Sequence, residues 1–493
     1  MTPKILLSCL LYGLLFTKSV CIPTFAAQQT ELNKQVIQER IQIHTQWLEN
    51  SPVNAEINFS QKYPETQWWI RFNDPTLTQL IQTALAENQD IAIANARLKE
   101  THALARLTES AQYPSLTVGV TDTRQKNIYN SNAGSSSSGT TGSGGSQIFA
   151  PNTVSTVYST PLRVNYEPDI WLINRDRSRV KIELARASEY ELHASQLSIA
   201  SDVATAYFNH TEAIALVDMF QRAEDIARAD ELAAQDKLDL GLLSEDVLSQ
   251  KQNQLAQIQA QRAGLQNLKE ITQHQLAVLT GETPEAFTLP SPSSFEAIQL
   301  PQTFNTGSPA DIFSHRPDIL AKEHELEAAR IDVNVARKSF LPTFNLSGQL
   351  GYTDITVGSF TLQSLAWNAI ASMTQSIFKG GALRAGLKVT KAKQEQALHQ
   401  YKKNILLAAQ EVDDALSGLN AATKQYQHYQ EAVNSIAKQD ELQQIRIEAG
   451  AASPSEGYPQ TLQTLQAQLQ AAQGKLAVLT QTISLYKALG GGF

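Results

Sequence analysis

This 493-residue chain has only two cysteines, Cys9 and Cys21, both close to its N-terminus. Removal of an export segment therefore leaves no pair for an internal disulfide. Beyond the first few residues, no stretch approaches the ~18 uninterrupted apolar residues of a spanning helix. There is no block of lysine and arginine, and the formal net charge is −8, so nucleic acid is not an expected partner. No Gly-x-x-x-x-Gly-Lys-Ser/Thr loop occurs, and the run Gly134–Gly145 contains no lysine, so nucleotide-driven chemistry is not expected of this chain. Its nine histidines are scattered, and His315 with His324 do not form a zinc spacing. Asp413-Asp414 are neighbours that point to different helix faces, a poor arrangement for acid/base work. His315-Arg316-Pro317-Asp318 has the look of a kinase catalytic loop, but no Asp-Phe-Gly or glycine loop accompanies it, and it reads as the start of a helix. No catalytic constellation emerges; no enzyme, cofactor or metal is expected.

What is present begins with an export signal over residues 1–26. Lys4 supplies the positive region, Ile5 to Phe16 the apolar core, and Thr24-Phe25-Ala26 a small-x-small cleavage site. Cys21 has two readings: a lipid attachment site, or a residue removed when the signal is cut near Ala26. Lys18-Ser19-Val20 lacks the small residue usual directly before a lipidated cysteine. With 42% hydrophobic and 18% charged residues, the rest is neither a disordered chain nor a helical membrane protein.

That remainder is written twice. Asp90-Ile91 and Tyr113-Pro114-Ser115-Leu116 recur as Asp318-Ile319 and Leu341-Pro342-Thr343-Phe344, at an offset of 228. The offset then drops to 207, where Ile170-Trp171 and Arg177 meet Ile377-Phe378 and Arg384. It stays near 209 where Gly241 meets Gly450 and Gly281 meets Gly490. The drop places one insertion in the first copy, and the Gly/Ser-rich residues 130–150 supply it. A long duplication sets the architecture: a lead-in over 27–74, a first repeat over 75–290, a linker over 291–310 and a second repeat over 311–493.

Within each copy the period of the pattern changes. Asp74-Pro75 reads as a helix cap with proline at the first helical position, and Thr76 to Gln112 reads as one helix. Leu116, Val118 and Val120 then alternate with small and polar residues, as do Tyr158 to Tyr166, Phe344 to Tyr352, and Leu365 to Met373. Four such segments of about ten residues fit outer-membrane strands and fit soluble hairpins equally well. Very long helices follow, from about Arg175 to Leu240 and about Ala382 to Ala449. Each ends at a glycine turn and returns as another helix. The last return carries Leu462, Leu465, Leu469, Ala472, Leu476, Leu479, Ile483 and Tyr486 at alternating spacings of three and four, a coiled-coil seam. Trp68-Trp69 fits either an interfacial anchor or packing of the lead-in against the helices.

These parts constrain one another. Four strands do not close a barrel, which needs about eight, and an open edge is unacceptable in lipid. If the strands span a membrane, several copies share one barrel: two would give eight strands, three would give twelve. Residues 130–150 then lie at the far end from the helices, on the outer surface.

The run Trp68-Trp69-Ile70-Arg71-Phe72-Asn73-Asp74-Pro75, the segment Asn165-Tyr166-Glu167-x-Asp169-Ile170-Trp171, and His315-Arg316-Pro317-Asp318-Ile319 resemble signatures of the TolC-like outer-membrane factors. So do Phe340-Leu341-Pro342-x-Phe344, Phe378-x-Gly380-Gly381-x-Leu383 and the terminal Leu485 to Gly492. The resemblance is to the OprM/NodT-type branch and covers about Trp68 to Phe493. It implies a mainly α protein with a membrane β-barrel portion: a homotrimer whose four strands per protomer build a 12-stranded barrel in outer-membrane lipid, above a periplasmic α-helical coiled-coil barrel. It further implies a tripartite efflux system, with a periplasmic adaptor and an inner-membrane transporter of the RND type, exporting drugs or other small toxic molecules. In the family, acidic rings near the helix-turn tips form a gate. Counting from the turn glycines, Asp246 and Glu456 fall at or within one residue of those positions. Both also read as helix-start charges favoured by the helix dipole. Pro454 and Pro459 depart from the family pattern. A protein-secretion channel of type I and, in a different class, a trimeric coiled-coil scaffold are the alternatives.

Overall fold

The computed structural model describes residues 58–60, 67–126, 154–289, 292–301, 303–305 and 315–491. The export signal, Cys21 and the Gly/Ser-rich residues 130–150 lie outside them. The chain divides into two units, one of residues 1–88, 197–316 and 402–493, the other of 89–196 and 317–401.

The first unit is helical around an aromatic core. A 3-10 turn at Trp68–Phe72 leads to α1 (Pro75–Glu87). The Asp74 carboxylate caps α1, accepting from the amides of Thr76 at 2.9 Å and Leu77 at 3.0 Å, with Pro75 where its missing N–H costs nothing. Trp68 stacks on Tyr486 at 5.3 Å, Phe72 meets Phe208 edge-on at 5.0 Å, and all four rings are buried. Trp68 and Trp69 are thus core residues of this unit. Tyr207 donates to the second Asp74 oxygen at 2.7 Å; burial and that carboxylate push its hydroxyl pKa up. A short parallel pair, β1 (Asn58–Ser60) with β5 (Thr303–Asn305), completes this unit's strands among the described residues.

The sequence pattern from Thr76 to Gln112 predicts one helix; the structure has two, α1 and α2 (Gln89–Glu109), broken at Asn88. Asn88 turns to an extended ψ of 133° and donates its side-chain amide to Leu279 O at 2.8 Å. A helix end elsewhere in the chain creates this break, so no local proline or glycine signals it.

Two long helices follow the predicted boundaries within two residues, α3 (Ile173–Asp239) and α6 (Ala382–Glu448), and each returns as a second helix, α4 (Glu245–Leu279) and α7 (Pro454–Ala488). On α7 the seam is half-buried from Leu462 to Leu476 and fully buried at Leu479, Ile483 and Tyr486. Beside the half-buried part, the row Thr464, Ala467, Ala471, Gly474 and Val478 is buried. A Cβ on Gly474 would stand 2.9 Å from the Tyr429 ring and 3.4 Å from the Tyr426 backbone, so small residues set how closely α6 and α7 approach. The Arg316 of the His-Arg-Pro-Asp motif is buried. It donates to Ala488 O at the end of α7 at 2.8 Å and to Glu411 at 2.7 Å. Buried Lys475 likewise donates to the carbonyls of Phe295 and Glu296, both at 2.9 Å, fastening the inter-repeat segment to α7.

The second unit holds α2, α5 (Pro317–Lys338), the first turns of α3 and α6, and one antiparallel sheet. Its strands are β2 (Ser115–Val118), β3 (Thr121–Lys126), β4 (Val154–Tyr166), β6 (Thr343–Val357) and β7 (Phe360–Thr374). β2 and β3 both pair with β4 in one register, so the ribbon is four strands wide, in the order β2/β3-β4-β6-β7. The break at Gly119-Val120 falls opposite Pro161. Gly119 donates to Pro161 O at 3.0 Å, and proline has no N–H to return the bond. Across the other side, a Cβ on Gly351 would lie 3.0 Å from Pro161 Cα, which is why glycine stands there. His324 joins Glu183 at 2.7 Å and stacks on Tyr190, linking α5 to α3 inside this unit.

Candidate functional site

Two surfaces carry the chemistry of passage, one in each unit. The first is the ribbon. Residues directly opposite in an antiparallel sheet share a face, so the register sorts every side chain. One face carries Val118, Leu162, Leu350 and Trp367 in one row, and Thr160, Tyr352 and Leu365 in the next. Toward the helices it continues through Tyr166, Leu346 and Ala371 to Phe344 and Met373. Large apolar groups here are exposed, Val118 and Trp367 each at 77%. From Phe344 to Tyr352 this belt runs along about nine residues of strand, within the ~9–11 that a tilted membrane strand uses. Beyond it, toward the 127–153 connection, the same face turns charged with Asp122, Arg124, Lys126 and Asp354.

The opposite face is polar. Thr117, Arg163, Gln349 and Asn368 form one row, Thr121, Ser159, Thr353 and Ser364 another; Ile370 interrupts it near the helices, and toward the 127–153 connection Val157, Ile355, Leu362, Val357 and Phe360 make it more apolar. A charge on a lipid-facing strand position costs about 2–4 kcal/mol at the midplane, so Arg163 assigns this face to the lumen. Among the described residues both edges of the ribbon are open: β7 bonds only to β6, and β2 and β3 only to β4. At the ribbon's base the carboxylate of Asp169 caps α3, accepting from Ile173 N at 2.6 Å and Arg175 N at 2.8 Å. Trp171 donates to Pro342 O at 2.8 Å and leans on Phe344.

The second surface is the pair of hairpin tips. Gly241 and Gly450 adopt φ of 70° and 71°, the left-handed region that favours glycine. In each tip the residue after the glycine donates back five residues, Leu242 to Lys237 O and Ala451 to Arg446 O, both at 2.8 Å. Ser244 and Ser453 are the N-caps that follow, both extended. Asp246 and Glu456, the two acids singled out in the sequence, are both exposed in the first turn after a tip. Their local roles differ. Asp246 accepts from the Ser244 hydroxyl and leaves the helix amides alone. Glu456 completes a capping box, accepting from Ser453 N at 3.2 Å. Those Ser453 hydrogen bonds, with Lys237 and Arg446 nearby, hold its carboxyl below the usual range. Pro454 occupies the first position of α7, where proline is tolerated, and Pro459 lies within the helix.

Behind the tips, the first hairpin is pinned by charge. Glu224 accepts from Arg262 at 2.5 Å, Arg228 at 2.8 Å and Gln259 at 3.1 Å, and those bonds lower its pKa. Asp230 pairs with Lys251 at 2.7 Å. Neither cluster, nor Arg163, was singled out in the sequence. Arg163 does carry a readable signal there, a single charge on the polar phase of an alternating strand. The ion pairs that cross from α3 to α4 join residues some 20 to 40 positions apart and have none.

A membrane ribbon with open edges, joined to paired helices that end in glycine-turned tips, defines one protomer of an outer-membrane channel. The chain matches the family model described as "Outer membrane efflux protein" over residues 80–282 and 309–491. It is 30% identical to the pyoverdine export outer membrane protein OpmQ of Pseudomonas aeruginosa, over 87% of each chain. It is 26% identical to the toluene efflux pump outer membrane protein TtgC of Pseudomonas putida, over 92% of this chain and 90% of that one. Among solved structures, the Campylobacter jejuni CmeC outer membrane channel superposes with a TM-score of 0.78 at 24% identity, over 90% of this chain and 91% of that one. The chain belongs to the outer membrane efflux protein family. Its fold is that of the TolC-like channels, in which protomers form trimers and combine a membrane β-barrel with a periplasmic helical barrel in the Gram-negative outer membrane.

Proposed function

We propose that this protein is the exit conduit of a tripartite pump, recruited by a periplasmic adaptor and an inner-membrane RND-type transporter, and that it conducts small toxic molecules without chemistry of its own. The carrying observation is the ribbon register, which makes one continuous wall apolar outside and polar inside while leaving both edges for neighbouring copies. The relatives' cargoes, pyoverdine in one and toluene in another, differ while the channel family stays the same. That contrast favours a pump that chooses and a conduit that passes. Of the two tip acids, Asp246 is the better gate residue. Glu456 is committed to its own helix start and faces Lys237 and Arg446, whereas Asp246 holds only a serine hydroxyl. Three copies of Asp246 form an acidic ring that favours cations and binds divalent ions. Domain limits remain those of the two repeats, 75–290 and 311–493, and either a lipid on Cys21 or a cut near Ala26 fits an export signal.

Susceptibility profiling of a deletion strain tests this reading. The gene restored in trans should recover resistance to several unrelated small compounds, and Asp246→Asn should raise conductance of the purified trimer in planar bilayers. A strain whose drug profile is unchanged but which fails to secrete a polypeptide would assign the tube to protein secretion instead. A folded trimer that never conducts, even with Asp246 and Glu456 neutralised, would leave only the scaffold.

A further inference from the structure

The register of the ribbon isolates one residue. Among the described strand residues, Arg163 is the only charged side chain on the polar face. Its guanidinium is exposed, donates to Gln349 at 3.4 Å, and meets no carboxylate among the described residues. It stands between Leu162 and Val164, which point to the apolar face, so it sits at hydrocarbon depth rather than at the barrel rim. The connection from 127 to 153 contains no Asp, Glu, Lys or Arg, so its sequence supplies no neutralising charge.

We infer that three Arg163 side chains, one per protomer, form a cationic collar inside the barrel that selects for anionic solutes. The inference deepens the conduit reading and rests on it. The physics is that of a charged ring in a pore, where arginine or lysine favours anions as carboxylates favour cations. A wide lumen sets the size of the effect. The Debye length is about 8 Å at physiological salt and 30 Å at about 0.01 M. The collar therefore acts across the lumen only when salt is low, and near the wall otherwise. The collar is opposite in sign to the acidic ring proposed at the tips.

Reversal potentials of purified trimers under a salt gradient test this. At about 10 mM salt, Arg163→Gln should lower the anion-to-cation permeability ratio on the order of twofold, and Arg163→Glu should lower it further. Arg163→Lys should keep the wild-type ratio, and all differences should fade near 1 M salt. In the complemented strain, Arg163→Glu should reduce export of an anionic dye while sparing a cationic one of similar size. Unchanged ratios and unchanged dye export in a glutamate variant that still forms trimers and restores resistance would overturn the collar while leaving the conduit reading intact. Failure of the wild-type gene to restore resistance would instead remove the conduit reading itself.

Discussion

The two hairpins of this chain are copies with the same turn and different adhesives. Residues 237–246 and 446–455 share an offset of 209, a left-handed glycine, the same return hydrogen bonds and a serine N-cap. Behind the turn they diverge. α3 and α4 are held by Glu224 with Arg262 and Gln259 and by Asp230 with Lys251. α6 and α7 are held by small residues that admit tyrosine rings, with Gly474 against Tyr426 and Tyr429. Duplication preserved what the backbone requires of a tip and left free how the helices cohere. Ion pairs tolerate separation and rearrangement, whereas close apolar packing does not. The first hairpin is thereby the more readily loosened of the two, and it carries the less constrained acid, Asp246.

The comparison breaks most visibly at two glycines. Gly474→Leu should destabilise the second hairpin by about 3 kcal/mol, because the added side chain has no space beside Tyr429. On α4, a Cβ added to Gly264 would meet nothing within 4 Å; Gly264→Ala should stabilise the first hairpin by about 0.4–1 kcal/mol. Melting temperatures of the solubilised trimer read both. Equal losses at the two sites would show that the hairpins are packed alike.

A smaller effect is expected at Glu224. Its partners Arg228 and Arg262 reach solvent, with 57% and 27% of their side chains exposed, so Glu224→Ala should cost about 1–2 kcal/mol rather than the full penalty of a buried pair. Hydrogen exchange should report it as faster opening of α3 and α4 near residues 224–262, with α6 and α7 unmoved. High salt should reproduce part of this loosening in the wild type.

The smallest effect lies at the caps. Ser453→Ala should cost about 1 kcal/mol by removing a capping box, and Ser244→Ala only a few tenths, since Ser244 donates to Asp246 instead of accepting from the helix. The pH sign follows from Glu456. Its pKa is depressed in the folded tip, so its contribution is complete above the unfolded value of about 4.3 and disappears as pH falls through the folded one. Exchange protection of the second tip should drop in that acidic window, and the Glu456→Gln tip should lack the drop.

How much of this was legible beforehand follows from where each signal lives. Glycine at 241 and 450 announces the tips because only a left-handed residue closes those turns. Alternation announces the strands, since the two faces meet different solvents. Asp74-Pro75 announces the start of α1. By contrast, the Asn88 break depends on Leu279, the Arg316 clamp on Ala488, and the Glu224 cluster on residues a hairpin away. The seam of α7 was visible as a pattern and is buried from Leu479 on, yet from Leu462 to Leu476 it is the smaller row beside it that packs within the protomer.

The sequence alone determined the duplication, the helix lengths, the strand alternation and the family, because each is a local period or an ordered set of motifs. Only the tertiary structure decided the shared register of β2 and β3, the isolation of Arg163 on the polar face, and the separate fates of Asp246 and Glu456. It also separated two residues that the duplication makes equivalent: Trp171 finds Pro342 within its own chain, while Phe378 stays 86% exposed. Partners distant in sequence assign those roles, and no local pattern encodes which of two equivalent side chains will meet one.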